Sequence, residues 1–476
     1  MAVSKIIEEK VENNPKENIL KIRDDSKHLI LHEDETDSFS IKDKTLSISW
    51  LSDNKKEGIK LSELRSGIEP WLTSLFQSEH LSLLTGSGLS TAIEFLATES
   101  TNSAMSKPKL DNSFENEIQA KADSTAKANN RGEANIEDYI RVMNDLFRGL
   151  EILGFNANTD KKKKAEYDKL VQNLKNVIHD FANNITTIEN EIATAEDNHR
   201  KEAFVCLVDF LMSFASRTGT RERLNIFTTN YDRLIEAGAD IAGLHLLDRF
   251  IGALTPIFRS SRLDIDMHYN PPGIRGEPRY LEGVARFTKL HGSIDWINTG
   301  EDIRRIGLPF GSKDIINFLN APGIIGSDTE KIMIYPNATK DRETTEYPYV
   351  ELFRDFAAAL CRPNSTLVTY GYGFGDDHVN RVIRDMLTIP STHLVIISFD
   401  DANRRIMKKY EEFGRSSQIS LIIGHGIAEI KTLVDYFLPK PSIDRASIRM
   451  NELLKQRYSD TKDSSKTENA GGNSIQ

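Results

Sequence analysis

The fold is decided by the stretch Leu224-Asn225-Ile226-Phe227-Thr228-Thr229-Asn230-Tyr231-Asp232, in which a short apolar run is followed directly by a polar cluster. Such a run predicts a buried strand whose C-terminal end carries polar side chains. In open α/β sheets, ligands bind in the crevice outside these strand ends. Asn230 and Asp232 are two positions apart, so their side chains leave an extended chain on the same face. Taken alone, a strand that ends in polar residues is ordinary, and its interpretation as a site depends on three further stretches.

The first of these stretches is Leu81-Ser82-Leu83-Leu84, which continues as Thr85-Gly86-Ser87-Gly88-Leu89-Ser90 and then as a helix-like segment. Strand, glycine-rich turn and helix form an arrangement that holds phosphate, because glycine lets the backbone approach an anion and the helix N-terminus offers free N–H groups. The turn lacks the third glycine of the dinucleotide fingerprint, and no lysine follows it as in a P-loop. As a lone signal it is equally consistent with a tight loop.

The other two stretches also place polar residues at the ends of predicted strands. A strand from Ala285 to Leu290 ends at His291, a side chain whose unperturbed pKa suits proton transfer near neutral pH, although a lone histidine is more often structural. A β-rich run from Ser365 leads into three alternating glycines, and Asp376 stands where a helix begins. A further apolar strand from His393 ends in serine and aspartate.

Taken together, at least five β-then-α units predict an α/β fold, a doubly wound parallel sheet with its polar strand ends at one edge. Residues 1–60 form an N-terminal extension, and residues 61–440 form the nucleotide-binding domain. A helical insert at about 100–200 interrupts this domain, and its basic run 161–164 is interpreted as a solvated loop or a contact patch. Residues 441–476 form a C-terminal tail, which is expected to be disordered from about 460 because apolar residues are scarce there.

Composition excludes several classes of protein. The 476 residues carry a net charge of -10, which argues against non-specific binding of nucleic acid. The two cysteines, Cys206 and Cys361, cannot build a disulfide framework or a four-cysteine zinc site, and no metal site is expected. No signal core and no apolar run long enough for a membrane span occurs, so we expect a cytoplasmic protein without membrane contact.

Four motifs in this order resemble the SIR2 (sirtuin-like) family: G-S-G-L-S, T-T-N-Y-D, K-L-H-G-S and G-Y-G-F-G-D-D-H. The resemblance covers roughly residues 78–100 and 200–425, and it is closest to bacterial SIR2-domain enzymes that consume NAD in anti-phage defence. It implies a Rossmann-like core with NAD+ as the substrate. The combination of T-T-N-Y-D with a downstream K-L-H-G-S is specific, whereas the glycine turn alone is not.

The resemblance also implies roles for individual residues. Asn230 and Asp232 match the residues that hold the nicotinamide and its ribose, and His291 matches the base at the ribose hydroxyl, so these three are the expected catalytic residues. The glycine turn 86–90 matches the segment that holds the pyrophosphate. The late glycine segment 371–376 matches the one that faces the ribose and phosphates, and the strand end 398–400 matches the one on the adenosine side. The NAD+-binding residues implied in this way are Gly86, Ser87, Gly88, Ser90, Thr229, Gly371, Phe374, Gly375, Asp376, Ser398 and Asp400.

One departure from the family bears on the reaction. Protein deacylases of this family carry a four-cysteine zinc module after the histidine strand, and the only cysteine after His291 is Cys361. This departure favours an NAD+ hydrolase that cleaves the nicotinamide–ribose bond. The resemblance implies that it acts as an effector of anti-phage defence through NAD depletion. Two alternatives are a sensor or scaffold that binds NAD or ADP-ribose without turnover, and an NAD-dependent deacylase. Family analogy suggests a homo-oligomer and, as a possible partner, a HerA-type ATPase.

Overall fold

A computed structural model gives the fold, and it describes residues 17–440 except 24, 26, 36–37, 44–47, 49, 52–54, 103–104, 129–131, 158–159, 218–220, 261–265, 270–278, 325–330 and 335–346. In chain order the strands are β1 (Glu17–Lys21), β2 (Leu29–Glu35), β3 (Ser38–Ile41), β4 (Ile59–Lys60), β5 (His80–Thr85), β6 (Asn225–Thr228), β7 (His245–Leu247), β8 (Phe250–Ile251), β9 (Ile257–Phe258), β10 (His268–Tyr269), β11 (Arg279–Tyr280), β12 (Val284–Lys289), β13 (Gly292–Asn298), β14 (Ile303–Arg305), β15 (Ile332–Ile334), β16 (Ser365–Tyr370), β17 (His393–Ser398) and β18 (Ile419–Ile423). The C-terminal tail lies outside the described residues.

The helices complete the list of elements. They are α1 (Leu61–Phe76), α2 (Ser87–Thr98), α3 (Glu115–Ala128), α4 (Ile136–Ile152), α5 (Lys161–Thr194), α6 (Asp197–Ala215), α7 (Leu234–Ala242), α8 (Tyr349–Leu360), α9 (Asp377–Met386), α10 (Arg405–Phe413), α11 (His425–Ala428) and α12 (Ile430–Thr432). Short 3-10 turns occupy Ile316–Phe318 and Ser416–Gln418, and a π-helical turn occupies Leu433–Phe437. None of the helices in the described ranges is both long and apolar enough to cross a bilayer.

An eleven-stranded sheet runs through the described part of the chain, in the order β4-β3-β2-β1-β18-β17-β16-β5-β6-β12-β7. From β18 to β7 every neighbouring pair is parallel. The central strands are continuously buried, as parallel strands covered on both faces must be. The prediction of a doubly wound parallel sheet is confirmed.

Two apolar layers cover the two faces of this sheet. Alternate strand residues divide between them: Leu83 and Ile226 belong to the layer formed with α1, α2, α6 and α7, whereas Leu84 and Phe227 belong to the layer formed with α8, α9 and α10. The chain leaves β5 toward β6 and returns later to place β16 on the other side of β5. The topological switch point therefore lies between β5 and β16, and ligands of such sheets bind outside the carboxyl ends of the strands there.

The N-terminal strands continue the same sheet. Strand β1 pairs with β18 in antiparallel fashion, and β2, β3 and β4 follow it outward. The fully buried Lys21 side chain donates hydrogen bonds to the carbonyl oxygens of Ser416 (2.8 Å) and Ile419 (3.0 Å), so its charge is compensated at this junction. The described residues of the 1–60 extension are thus part of the sheet of the core.

A helical layer lies between α2 and α6 in the chain. Helices α3, α4 and α5 share an apolar cluster of their own, and α5 alone has 34 residues. The cluster also includes Tyr231, which follows β6 at the end of the parallel sheet, and Ile294 of β13. The insert therefore packs directly over the carboxyl edge of the parallel sheet.

A smaller antiparallel sheet, in the order β15-β13-β14-β9-β8, lies beside the parallel one. Strand β13 follows β12 after only two residues, Leu290 and His291. His291 is consequently held at the junction of the two sheets, with a strand fixed on either side of it. The polar stretch 270–273, rich in proline and glycine in the sequence, lies outside the described residues.

Candidate active site

A cavity of about 480 Å³ opens at the carboxyl edge of the parallel sheet, at the switch point. This volume is in the range of small-molecule and cofactor sites. Residues after β5, β6, β12 and β16 form its floor, and α5 of the insert contributes an apolar wall of Phe181, Ile185, Ile188 and Ile192. The strand ends that are far apart in the sequence thus line one cavity.

The glycine turn after β5 is braced by the turn after β16. The Gly86 N–H donates to the Tyr370 carbonyl oxygen and the Gly88 N–H donates to the Gly371 carbonyl oxygen, each at 3.0 Å. A Cβ atom on Gly88 would lie 2.6 Å from the Gly371 Cα, so the two backbones are in direct contact. Helix α2 begins at Ser87, which lines the cavity, and the positive end of this helix faces it.

Asn230 is held by the glycine turn from the neighbouring strand. Its amide Nδ2 donates to the Gly86 carbonyl oxygen and to the Ser90 hydroxyl oxygen, each at 2.9 Å. The Ser90 hydroxyl in turn donates to Asp232 Oδ2 at 2.5 Å, and the other oxygen of Asp232 accepts from the Leu234 N–H at the start of α7. The Asn230 side chain is thus buried and oriented by a chain of hydrogen bonds that ends at a helix N-terminus.

His291 lies across the same cavity and contacts a second histidine. The Nε2 atoms of His291 and His378 are 3.1 Å apart, and Tyr231 lies beside the His291 ring at 6.3 Å between centroids. His378 is buried in the first turn of α9, and the Phe353 ring packs edge-on against it at 4.8 Å. A carboxylate at the start of the same helix, Asp376, completes a group whose nitrogen and oxygen atoms all lie within 4.8 Å of one another.

Three charged residues, Glu94, Glu189 and Arg405, also line the cavity. Glu94 is buried on α2, burial raises the pKa of its carboxyl, and the Asn102 N–H donates to it at 2.6 Å. Arg405 lines the cavity and donates to the Gly373 carbonyl oxygen. Glu189 of α5 accepts the backbone N–H of Arg233 at 2.7 Å and forms a buried ion pair with its guanidinium. The insert is therefore tied by charge to the loop that carries Asn230.

The comparison with protein families agrees with this geometry: residues 224–419 match the family model described as the SIR2-like domain. The chain carries a SIR2-like domain. No curated protein sequence matches the chain significantly. A SIR2-like domain indicates NAD-dependent activity with NAD+ as the substrate.

The matched range contains β6 to β17 and therefore includes Asn230, His291 and the late glycines. The glycine turn Gly86–Ser90 precedes it. The turn nevertheless hydrogen-bonds to Asn230 and lines the same cavity, so the SIR2-like site of this chain includes structure outside the matched range.

The structure brings most of the predicted site residues of the SIR2-like domain to the cavity. Those that line it are Gly86, Ser87, Ser90, Thr229, Asn230, Asp232, His291, Gly375 and Asp376. The others are placed elsewhere: Gly88 and Gly371 pack on one another, Phe374 is 1 % exposed in the core, Ser398 is buried at a strand end, and Asp400 is exposed and accepts the Ala402 N–H. The roles assigned to all of these residues stay predictions.

Several residues that line the cavity or contact its lining residues were not predicted from the sequence. Arg405 and Glu94 belong to none of the four sequence motifs. Glu189 is a single acid in the long amphipathic helix α5, where an acidic residue normally marks the solvated face. His378 closely follows the glycines after β16. The contact between His291 and His378 could have been suspected only because both histidines follow strand ends in the sequence.

Proposed function

We propose that the chain is an NAD+ glycohydrolase, in which water cleaves the nicotinamide–ribose bond of NAD+ to give nicotinamide, ADP-ribose and a proton. The observation that carries this proposal is the placement of Asn230 and His291 in one cavity with the glycine turn before α2. An amide, an imidazole and a helix N-terminus are the groups that a site for a ribose and a pyrophosphate needs.

The proposed roles follow from the contacts. The N-terminus of α2 binds the pyrophosphate, because the partial positive charge of this helix end favours an anion there. Both hydrogen atoms of the Asn230 amide are used by the protein, so its oxygen is the atom directed at the ribose or at the attacking water. His291 accepts a proton from a ribose hydroxyl, which offsets the positive charge that builds on the ribose as the bond breaks.

The apolar wall of α5 supports a reaction whose only substrates are NAD+ and water. Phe181 and Ile185 exclude bulk water from one side of the cavity, which strengthens the electrostatic interactions inside it. The chain also lacks the four cysteines of the deacylase zinc module, because Cys361 is the only cysteine after His291. A protein substrate is therefore not part of the proposal.

The direct test measures nicotinamide release from NAD+ by the purified full chain. His291→Ala is expected to lower the rate about 10²–10⁴-fold, the usual contribution of a positioned acid–base group. Asn230→Ala is expected to lower it about 10²-fold, because the ribose or the attacking water loses the amide that positions it. His245→Ala, a change of an exposed histidine on the edge strand β7, is the matched control and should keep the wild-type rate. Binding of NAD+ without nicotinamide release would instead support a sensor, and release that depends on an acetylated peptide would support a deacylase.

We propose further that this activity depletes NAD in anti-phage defence, and that it is restrained by self-association or by a HerA-type ATPase. The support is family analogy. The test is the cellular NAD concentration during phage challenge in cells that express the chain with its genomic neighbours. A fall in NAD with the wild type but not with His291→Ala is expected, and light scattering of the purified chain reports its subunit number.

A further inference from the structure

The contact between His291 and His378 also has the geometry of a metal-binding site. Among the described residues, His291, Asp376 and His378 are the group whose donor atoms lie close enough together to hold a metal ion. Two imidazole nitrogens bound to one tetrahedral Zn²⁺ at about 2.0–2.1 Å each would be about 3.3 Å apart. The observed Nε2–Nε2 distance of 3.1 Å is close to this value.

The donor set is that of a metal site with open positions. Two histidines and one carboxylate bind Zn²⁺ in hydrolases and Fe²⁺ in oxygenases, and the remaining positions take water or substrate. His291 and Asp376 both line the cavity, so an ion between them would face it. The two histidines come from different parts of the fold, His291 from the junction of the two sheets and His378 from α9, and Phe353 fixes the His378 ring.

We propose that His291, Asp376 and His378 form a binding site for a divalent transition-metal ion such as Zn²⁺, and that the bound ion inhibits the enzyme. The inhibition rests on the proposed function: a nitrogen lone pair that binds the ion cannot accept a proton from a ribose hydroxyl. Metal binding itself does not depend on the reaction. The ion connects the β12–β13 junction to α9 beside the cavity that His291 and Asp376 line, and so competes with substrate for the same space.

Metal binding is tested by spectroscopy, independently of activity. The full chain is stripped with a chelator, desalted and titrated with Co²⁺, whose visible d–d absorption reports its ligands. One ion per chain is expected, and added Zn²⁺ should remove the absorption. His378→Asn and Asp376→Asn should each weaken binding by more than about 100-fold, because loss of even an outer-shell partner costs about 10–100-fold.

The matched control is His199→Asn, a change of a partly exposed histidine on α6 that is 3.9 Å from Glu99 and outside the cavity. It should bind Co²⁺ like the wild type. Circular dichroism and thermal melting identify any variant that fails to fold, and the wild type alone is decisive in that case. Absence of Co²⁺ binding by the wild type below about 100 μM, or unchanged binding by both site variants, would overturn the site.

Nicotinamide release with and without Zn²⁺ tests the inhibition. Zn²⁺ should abolish release by the wild type, and a chelator should restore it. Binding of Co²⁺ by a chain that never releases nicotinamide would sink the proposed function and leave the metal site standing. Release that continues with Zn²⁺ bound would keep the site and refute its inhibitory role.

Discussion

The Ser90 hydroxyl stands between the amide and the acid that follow β6. It accepts a hydrogen bond from Asn230 and donates one to Asp232. Ser90→Ala removes both bonds, and since a net hydrogen bond is worth about 0.5–1.5 kcal/mol, we expect kcat for NAD+ cleavage to fall about tenfold or more. KM should change less than kcat, because the Ser90 hydroxyl is bonded to Asn230 and Asp232 and orients the reacting group.

Two further variants separate positioning from general damage. Thr98→Ala removes another hydroxyl of the same helix, which does not line the cavity and donates to the Glu94 carbonyl oxygen at 2.9 Å, and it should keep the wild-type rate. Ser90→Thr retains a hydroxyl and should recover most of the loss. Equal rates for Ser90→Ala and the wild type would show that Asn230 does not depend on this contact.

Gly371 is required by backbone geometry at the switch point. Its φ angle is +60°, and a Cβ there would lie 2.6 Å from the Gly88 Cα. Left-handed strain of about 1–2 kcal/mol and overlap of about 1–3 kcal/mol should together destabilise Gly371→Ala by about 2–5 kcal/mol in chemical denaturation. Gly243→Ala is the control, since its φ is +67° with no atom within 4 Å of the added Cβ, and it should show the strain alone.

At the scale of elements, α7 carries a partly exposed acid, Glu236, whose carboxyl atom Oε2 is buried. Lys289 contacts Glu236 at 3.0 Å and its ammonium also donates to the Asp232 carbonyl oxygen. Burial raises the pKa of the Glu236 carboxyl from 4.5 to about 7, and the nearby Lys289 opposes part of this rise. The proton is thus held more tightly by the folded chain than by the unfolded chain.

The sign of the pH dependence follows from this difference. The contribution of Glu236 to stability is fully present below pH 4.5 and is lost as the pH rises through about 7, by up to about 3 kcal/mol. Glu236→Gln should remove this fall, so that its unfolding free energy changes less than that of the wild type between about pH 5 and pH 8. Asp240→Asn, an exposed change on the same helix, should retain the wild-type slope.

The elements also show what the sequence could predict. Period and composition identified the strands of the parallel sheet, because apolar runs in a sheet covered on both faces leave few alternatives. The interpretation of residues 161–164 as a solvated loop was wrong: α5 begins at Lys161, and the Asp160 carboxylate accepts the N–H groups of Lys162 and Lys163 as a helix cap. A run of lysines has no apolar period, so the cap was the only local signal.

The site was less predictable than the sheet because it depends on contacts between distant segments. That strand ends meet at one edge follows from the topology of a parallel sheet. The pairing of Gly88 with Gly371, or of Glu189 with Arg233, is set by how loops and the insert pack. No periodicity in the sequence indicates such contacts. Glu189 on α5 resembles a solvated acid in the sequence, because nothing there shows that Arg233 is its partner.

At the scale of the whole molecule, the N-terminal strands close one edge of the sheet. Residues of β1, β2 and β3 and their loops bury six large apolar side chains, each at most 4 % exposed: Leu20, Ile22, Leu29, Leu31, Phe39 and Ile41. At about 1.5–3 kcal/mol each, their burial is worth roughly 9–18 kcal/mol before the entropy of ordering the segment is counted. This is comparable to the whole stability of a typical domain, about 5–15 kcal/mol.

Deletion of residues 1–58 is therefore expected to prevent folding of the core rather than to release a separate extension. It would expose the edge of β18, whose five residues are all buried, and leave unpaired N–H and C=O groups that favour aggregation. Size-exclusion chromatography should show aggregate, and a thermal melt should show no cooperative transition. Deletion of residues 461–476, where apolar residues are scarce, is the control and should leave the melt unchanged. A 59–476 chain that melts cooperatively as a monodisperse species would show instead that the parallel strands form a stable core without their antiparallel neighbours.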